Sequence, residues 1–258
     1  MKLHCVRVGQ GSPPFVFVHG FACAHDDWQS QIDHFSAQHQ VLACDLPGHG
    51  RSPGTAGDCT MERFGAEVAA LLEELDRPAI VVGHSMGCRV VLQAARMAPD
   101  RVAALALIDG SRMALGEPQQ AEDAMRQAIE FAGYAVFAEA LFRQMFFAPS
   151  AAAERIIERA KRLPPEIGTA LFPAMARWDA REAEAALGAV RVPLLAIQST
   201  RMSAERKRSP MRAGDANPWL ELIQRRVPHA RIEVIEGVGH FPQIEVPGRV
   251  NSLLAALV

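Results

Sequence analysis

Short apolar runs closed by turn residues recur along this chain and alternate with segments of helical periodicity. The first clear run is Phe15–Val18, and five more follow it, at residues 41–43, 79–82, 105–108, 194–197 and 232–235. Mostly continuous apolar runs of this length are typical of central parallel strands, which are buried on both faces. The pattern therefore predicts a mainly parallel sheet covered by helices, which is the α/β class.

The clearest amphipathic segment begins after Thr60, whose side chain suits the N-cap of a helix. Apolar side chains recur beyond it at helical spacing on one face: Phe64, Val68, Leu71, Leu72 and Leu75. A stripe of this kind is typical of a helix that covers a core. We therefore predict a helix here that packs against the sheet.

The alternation of apolar runs and helical segments breaks down in the middle of the chain. Residues from about 111 to 187 contain no strand-like run and show helical periodicity, so we predict a helical insertion there. The insertion is rich in aromatic and methionine side chains. Each of these alone could simply hold the insertion on the sheet, but together some are expected to line a substrate pocket. Our candidates are Phe137, Phe142, Met145, Phe146 and Trp178.

Length and charge narrow the class of protein. With 258 residues, 49% of them hydrophobic, the chain can enclose an active site within one compact domain, or within a core that carries one insertion. Lys and Arg number 27 against 29 Asp and Glu, a formal charge of −2. Such a balance gives no broad field that attracts nucleic acid or an anionic membrane. We expect a small neutral molecule as the partner, and the sequence predicts no oligomeric state.

Neither a targeting signal nor an informative cysteine pattern is evident in the sequence. The first residues show no basic segment followed by an apolar run, and no stretch reaches the roughly 18 apolar residues of a membrane span. We therefore expect a cytoplasmic protein without a membrane partner. The five cysteines are an odd, scattered set without Cys-x-x-Cys spacing, which argues against a disulfide framework and against a zinc site. We predict free, mostly buried thiols and neither a metal nor another cofactor.

A Gly-x-Ser-x-Gly motif lies where chemistry would be expected. Gly83-His84-Ser85-Met86-Gly87 follows the apolar run at 79–82 and precedes a helical pattern that starts near Val90. A serine on such a sharp turn between strand and helix needs flanking glycines, because the backbone is strained there and neighbouring chain approaches closely. The pattern alone could arise by chance, but this context indicates that Ser85 is a nucleophile.

A serine hydroxyl is a poor nucleophile at its ordinary pKa, so it requires a base. Of nine histidines, His240 lies on a glycine-bearing loop after the last apolar run, where catalytic groups of α/β proteins collect. His19-Gly20-Phe21 follows the first run. The backbone N–H groups of Phe21 and Met86 are therefore our candidates for an oxyanion hole.

Four motifs together resemble the α/β-hydrolase family, and their order and spacing span most of the chain. They are His19-Gly20-Phe21, the segment Asp45-Leu46-Pro47-Gly48-His49-Gly50-Arg51-Ser52, Gly83-His84-Ser85-Met86-Gly87 and Gly239-His240-Phe241. The resemblance implies a mainly parallel sheet of about eight strands, a helical cap inserted after the sixth, and catalytic residues in the order Ser, acid, His. By this analogy residues 112–188 are the cap and residues 1–111 and 189–258 form the core. We assign Asp45 a structural role in its turn.

The position of the acid departs from the family pattern. In most relatives it lies just past the strand that here is 194–197, but residues 198–202 include no carboxylate. Asp109 directly follows the run at 105–108, where some haloalkane dehalogenases of this family place their acid. Asp215 precedes the next helix start, if residues 201–212 are a solvated inserted loop. Either must reach the far ring nitrogen of His240, and we favour Asp109 over Asp215.

The resulting hypothesis is a serine esterase that cleaves small, largely apolar carboxylic esters through an acyl-enzyme. One alternative is a carbon–carbon bond hydrolase of ring-cleavage products, which would need cationic groups for its carboxylated substrate. The candidates for those groups are Arg89, Arg112, Arg143 and Arg177. A third reading is a ligand receptor on the same scaffold, because a fold alone does not fix function.

Overall fold

Nine strands form two sheets in the computed structural model, which describes residues 3–203 and 207–258. Their bounds are β1 (Cys5–Val8), β2 (Phe15–Val18), β3 (Val41–Cys44), β4 (Ala79–His84), β5 (Val102–Ile108), β6 (Leu194–Gln198), β7 (Thr200–Met202), β8 (Arg208–Pro210) and β9 (Arg231–Val234). The main sheet has the order β1-β3-β2-β4-β5-β6-β9. β1 pairs antiparallel with β3, and all other pairs in this sheet are parallel. β7 and β8 form a separate antiparallel hairpin.

The predicted α/β class is confirmed, since each of the six apolar runs falls on a strand of the main sheet. Every residue of β2, β3, β4 and β6 is buried, which explains why these strands read as continuous apolar runs. Two details differ from the expectation. The main sheet has seven strands in the described residues rather than about eight, and the helical insertion follows β5, the fifth strand along the chain, rather than the sixth.

Eleven α-helices lie in the described part of the chain. Their bounds are α1 (Gln29–Phe35), α2 (Met61–Glu73), α3 (Met86–Met97), α4 (Pro118–Ala132), α5 (Tyr134–Arg143), α6 (Ala151–Arg162), α7 (Pro165–Arg181), α8 (Ala183–Gly188), α9 (Pro218–Arg226), α10 (Pro242–Glu245) and α11 (Pro247–Ala255). None of the described helices combines the length and the apolar character that a membrane span requires.

Helices α4 to α8 all lie between β5 and β6. We refer to residues 112–188, which contain these five helices and no strand, as the cap segment. Its separation from the core as a distinct domain stays a prediction. The helix predicted after Thr60 is α2: the Thr60 hydroxyl caps it by accepting a hydrogen bond from the Arg63 N–H at 3.0 Å.

Alternate strand residues supply two apolar clusters, one on each face of the main sheet. Phe15 and Phe17 belong to a cluster that includes side chains of α1 and α11. Val16 and Val18 belong to the other cluster, together with side chains of α2, α3 and the cap segment. All five cysteines are free thiols, as predicted, and four of them are buried.

The start of α3 lies unusually close to β2, and two glycines make this approach possible. A Cβ atom on Gly87 would lie 2.4 Å from the backbone oxygen of Val18, and one on Gly83 would lie 2.4 Å from the backbone oxygen of Gly87. Backbone atoms cannot move away as a flexible side chain can. Glycine at these two positions therefore allows α3 to start in close contact with β2, immediately after the turn at Ser85.

We expect Gly87→Ala to lower the free energy of unfolding by about 1–3 kcal/mol, because the added methyl group overpacks a rigid backbone contact. Gly248→Ala is the matched control, since its Cβ would meet nothing within 4 Å. It lies in α11, where alanine should stabilise by up to about 1 kcal/mol. Urea denaturation of the two variants measures the difference, and equal stabilities would contradict the predicted clash.

Candidate active site

The carboxyl ends of the parallel strands bring three predicted side chains together at one edge of the main sheet. Ser85 follows β4, Asp109 follows β5, and His240 lies on the loop after β9. The Ser85 Oγ is 2.8 Å from the His240 Nε2, and the His240 Nδ1 is 2.5 Å from the Asp109 Oδ2. The three side chains therefore form a continuous hydrogen-bonded chain.

Backbone strain is concentrated at the same edge. Ser85 (φ 54°), Asp109 (φ 45°) and Ala22 (φ 52°) are the non-glycine residues with positive φ among those the structure describes. Such conformations cost on the order of 1–3 kcal/mol each and persist where the surrounding structure enforces them. Ala22 follows Phe21, so all three strained residues belong to or adjoin the predicted site.

Asp109 is fully buried and accepts hydrogen bonds from the segment that follows β6. Its Oδ1 accepts from the backbone N–H groups of Ser199 at 2.7 Å and Thr200 at 2.9 Å. Its Oδ2 accepts from the Thr200 hydroxyl at 2.5 Å. The segment after β6, where the family resemblance implied the acid, thus provides donors that hold Asp109 instead.

Asp215, the second candidate for the acid, lies elsewhere and does not contact His240. Its carboxylate accepts a hydrogen bond from the Arg212 backbone N–H at 2.9 Å, and its own N–H donates to the Arg212 carbonyl at 3.1 Å. These contacts close a turn ahead of α9. The structure therefore joins Asp109 to His240 and uses Asp215 within its own loop.

Burial and nearby charge set the protonation of the pair. Burial lowers the pKa of His240, the Arg208 charge lowers it further, and the hydrogen bond to Asp109 only partly opposes them, which leaves the pKa at about 4. Burial would raise the pKa of Asp109, but its hydrogen bond from His240 and the charges of His240 and Arg208 bring it below the ordinary value. At neutral pH the site therefore holds a neutral imidazole beside a carboxylate.

The predicted oxyanion donors lie on the two segments that flank Ser85. Met86 is the first residue of α3, and Phe21 follows β2. A Cβ on Gly20 would lie 3.2 Å from the Ser85 Cβ, so the Phe21 turn passes very close to the serine. Within residues 3–203 and 207–258, neither backbone N–H donates a hydrogen bond to another protein group. Both donors remain free beside Ser85.

A narrow cavity of about 20 Å³ reaches Ser85 and His240, which is room for one or two water molecules. Its lining is mainly apolar. Sixteen residues form the wall: Gly20, Phe21, Cys23, His84, Ser85, Ser111, Met113, Leu141, Phe142, Met145, Phe172, Met175, Met202, Arg208, His240 and Phe241. Four of them are methionines, whose flexible side chains can rearrange around a larger ligand.

Two of the five predicted pocket residues, Phe142 and Met145, line this cavity. The other three do not line it, and two of these pack against wall residues. The Phe137 ring packs against Phe172, the Phe146 ring stacks on Phe241 with centroids 4.9 Å apart, and Trp178 is buried in the core.

The cap segment supplies four wall residues that the prediction did not include: Met113, Leu141, Phe172 and Met175. They share the apolar character of the five predicted residues and lie in the same segment. Which side of a cap helix faces the site depends on how the helices pack, and periodicity alone does not reveal it.

Arg208 is a further wall residue outside the predicted set, because residues 201–212 were expected to be a solvated loop. Instead, β7 and β8 pair as a hairpin, and the Arg208 side chain is only 4% exposed. Its Nη1 donates to the Thr200 hydroxyl at 2.5 Å and lies 3.4 Å from the Asp109 Oδ2. Nothing in the basic stretch of sequence distinguishes this arginine from its exposed neighbours.

A buried ion pair ties the cap segment to the helix of the nucleophile. Arg89, one turn after Ser85 in α3, donates through Nε and Nη2 to the two carboxylate oxygens of Asp179 in α7, at 2.8 and 2.6 Å. The Asp179 Oδ2 also accepts from the Met113 backbone N–H at 2.7 Å. Both charged side chains are buried. This bidentate contact fixes α7 over the cavity.

The four arginines considered for a carboxylated substrate all have carboxylate partners within the protein. Arg89 binds Asp179, as described. The other three pairs are Arg112 with Glu184, Arg143 with Glu139 and Arg177 with Glu122. None of the four lines the cavity in the described structure.

One group of potential metal ligands occurs among the described residues. Side-chain atoms of His4, His25 and Asp45 lie within 4.8 Å of one another. The Asp45 Oδ1 already accepts hydrogen bonds from the His25 backbone and ring, and its Oδ2 accepts from the Arg51 N–H. These contacts fit the structural role predicted for Asp45 in its turn, and we assign no metal to the group.

Comparison with known sequences supports the α/β fold. A sequence profile described as the alpha/beta hydrolase family matches residues 15–253, nearly the whole chain. The chain belongs to this alpha/beta hydrolase family, which confirms the resemblance drawn from its motifs.

Individual relatives are similar over different lengths. A pimeloyl-[acyl-carrier protein] methyl ester esterase of Aromatoleum aromaticum is 30% identical over 95% of this chain and 98% of its own. An acetoin-cleaving dihydrolipoyllysine-residue acetyltransferase component of Pseudomonas putida is 42% identical, but over only 39% of this chain and 27% of its own. The first curated relatives match over less than half of their own length.

Among solved structures, a thermophilic esterase from Thermogutta terrifontis superposes with a TM-score of 0.78 at 25% identity. The match covers 98% of this chain and 92% of that one. A hydrolase from Pseudomonas aeruginosa superposes with a TM-score of 0.79 at 24% identity, over 99% of this chain and 93% of that one. The fold thus matches known hydrolases from end to end.

We expect Arg89→Met to lower the free energy of unfolding by about 3–5 kcal/mol, because it leaves the Asp179 carboxylate buried without its cation. The matched control is Arg96→Met. Arg96 lies in the same helix and pairs with Glu182 at 2.8 Å, but nearer the surface, so its loss should cost at most about 1 kcal/mol. Chemical denaturation of both variants tests this, and similar losses would show that burial of the Arg89 pair is unimportant.

Proposed function

We propose that this protein is a serine esterase that hydrolyses small, largely apolar carboxylic esters. The observation that carries the proposal is the hydrogen-bonded chain from Ser85 through His240 to Asp109, whose serine end opens into an apolar cavity. Nucleophile, base and orienting acid in this order are what acyl transfer through a serine ester requires.

In the proposed reaction His240 Nε2 takes the proton of the Ser85 hydroxyl as its oxygen attacks the ester carbonyl. The backbone N–H groups of Phe21 and Met86 then bind the oxyanion. His240 returns the proton to the departing alcohol, which leaves an acyl group on Ser85. Water next attacks this acyl-enzyme with His240 again as the base, and the carboxylic acid is released.

The environment of His240 suits the role of a base. Its lowered pKa keeps the imidazole neutral and able to accept a proton at neutral pH. Asp109 holds the ring with its Nδ1–H directed away from Ser85, so that Nε2 faces the hydroxyl. The same carboxylate stabilises the imidazolium that forms during the reaction.

Relatives support the choice of an ester as substrate. The Aromatoleum relative, which matches the full chain, is named a methyl ester esterase, and the Thermogutta structure is that of an esterase. The narrow, mainly apolar cavity favours a compact ester. A receptor gains less support, because it does not need an assembled triad. The four arginines considered for a carbon–carbon bond hydrolase have carboxylate partners, which leaves Arg208 as the arginine in the described cavity wall.

A fluorophosphonate probe should label the wild-type protein covalently, and Ser85→Ala should abolish both labelling and ester hydrolysis. Ser252→Ala, which changes an exposed hydroxyl on α11, should label normally and serves as the control. Labelling that persists in Ser85→Ala would place the nucleophile elsewhere. If the wild-type protein binds the ester tightly but neither reacts with the probe nor hydrolyses the ester, the receptor is favoured. If it cleaves a vinylogous diketone faster than aryl acetates, carbon–carbon bond hydrolysis is favoured.

Asp109→Asn should slow aryl acetate hydrolysis by about ten-thousand-fold, since the amide no longer holds the imidazole in the correct tautomer. Asp215→Asn changes the other candidate acid and should retain wild-type turnover. Steady-state kinetics on both variants distinguishes the two carboxylates. Full activity of Asp109→Asn would remove this residue from the mechanism.

A further inference from the structure

Arg208 reaches the cavity from the β7–β8 hairpin. Within the described chain it is the one Lys or Arg side chain in the cavity wall, and that wall includes no carboxylate. The side chain is 4% exposed. Burying a guanidinium costs free energy unless acceptors satisfy its donors.

Most donors of this guanidinium have no acceptor among the described residues. Of its three nitrogens, Nη1 is engaged there, with the Thr200 hydroxyl and, at 3.4 Å, with Asp109. Nε is buried without a hydrogen-bond partner, and Nη2 donates to none of the described residues. Nε and Nη2 form one edge of the planar fork, and such an edge binds a carboxylate through two parallel hydrogen bonds.

Balancing the charge of Asp109 does not explain this placement. The Asp109 carboxylate already accepts four hydrogen bonds, from two backbone N–H groups, the Thr200 hydroxyl and His240. The 3.4 Å contact with Arg208 is longer than all of these. An arginine that neutralises Asp109 would direct two guanidinium nitrogens at that carboxylate. Here the edge formed by Nε and Nη2 has no hydrogen-bond acceptor among the described residues.

We propose that Arg208 binds a carboxylate on the substrate, so that the preferred substrates are half-esters of short dicarboxylic acids. This inference rests on the esterase function proposed above and narrows its substrates to esters whose short apolar chain ends in a carboxylate. The apolar wall, with Leu141, Phe172 and Met175, suits the methylene chain between the two acid groups. A chain of a few carbons requires the least rearrangement of the methionine side chains around a cavity of about 20 Å³. The ester group lies at Ser85 while the free carboxylate pairs with the Nε and Nη2 edge of Arg208.

The first experiment compares two esters of the same shape, monomethyl succinate and methyl isocaproate, in which an isopropyl group replaces the carboxylate. The wild-type kcat/KM should favour monomethyl succinate. In Arg208→Met this preference should fall by about tenfold to a hundredfold, since a hydrogen-bonded charge is lost, and the change should appear mainly in the KM of the half-ester.

Two further variants make the result specific. Arg201→Met removes a neighbouring arginine of β7 whose side chain is 47% exposed, and it should leave the preference unchanged. Arg208→Lys keeps the charge but lacks the planar fork, and it should lose part of the preference. If Arg208→Met fails to fold, the ratio in Arg208→Lys decides. Equal slowing of both esters by either Arg208 variant would overturn the proposal, because Arg208 would then act only through Asp109.

A binding measurement separates this proposal from the esterase proposal. Calorimetry should detect monomethyl succinate binding to the Ser85→Ala protein, with affinity reduced at least about tenfold when Arg208→Met is added and unchanged when Arg201→Met is added. Binding that depends on Arg208, together with a wild-type protein that hydrolyses neither ester, would uphold the carboxylate site and reject the esterase. Ester hydrolysis with no role for Arg208 in binding or preference would do the reverse.

Discussion

The hydrogen bond between the Asp109 carboxylate and the His240 imidazole is the contact on which the site depends. Asp109 follows β5, its backbone and hydroxyl donors follow β6, and His240 follows β9, so one buried carboxylate links the ends of three adjacent strands. A buried charge is tolerated only when it is so fully bonded. The requirement that Asp109 be satisfied therefore fixes where the base stands relative to Ser85.

Burial has opposing effects on this site. It lowers the pKa of His240 and keeps the imidazole neutral, but it also penalises every charge placed nearby. Arg89 meets this cost through its two hydrogen bonds to Asp179. Arg208 meets it only in part, since Nη1 bonds Thr200 and lies near Asp109 while its buried Nε has no partner among the described residues. The strained backbone at Ser85 and Asp109 is held by the strands that precede these residues: every residue of β4 is buried, and so are six of the seven residues of β5.

The parts of the site that the sequence predicts are those tied to strand ends. Ser85 and Asp109 directly follow long apolar runs, and His240 follows the last run on a glycine-bearing loop. Parallel strands place their carboxyl ends at one edge, so simple order along the chain brings these residues together. Strand β1 was missed because it has four residues and is exposed over half its length, which leaves little periodicity to detect.

The parts that escaped prediction depend on tertiary packing. The apolar residues of the cap segment all resemble one another in sequence, and only the packing of α5 and α7 decides that Phe172 lines the cavity while Phe137 packs against the Phe172 ring. Arg208 became buried because a three-residue strand pairs with β7, and such short strands carry almost no signal.

Met145 connects the wall of the cavity to the loop of the base. Its side chain lines the cavity, while its backbone oxygen accepts a hydrogen bond from the His240 N–H at 2.7 Å. Any rearrangement of this segment that widens the entrance also pulls on the peptide that carries the imidazole. Admission of a bulky molecule and alignment of the proton acceptor are thus mechanically coupled. The size of a ligand therefore affects the distance and orientation of the imidazole relative to the serine hydroxyl.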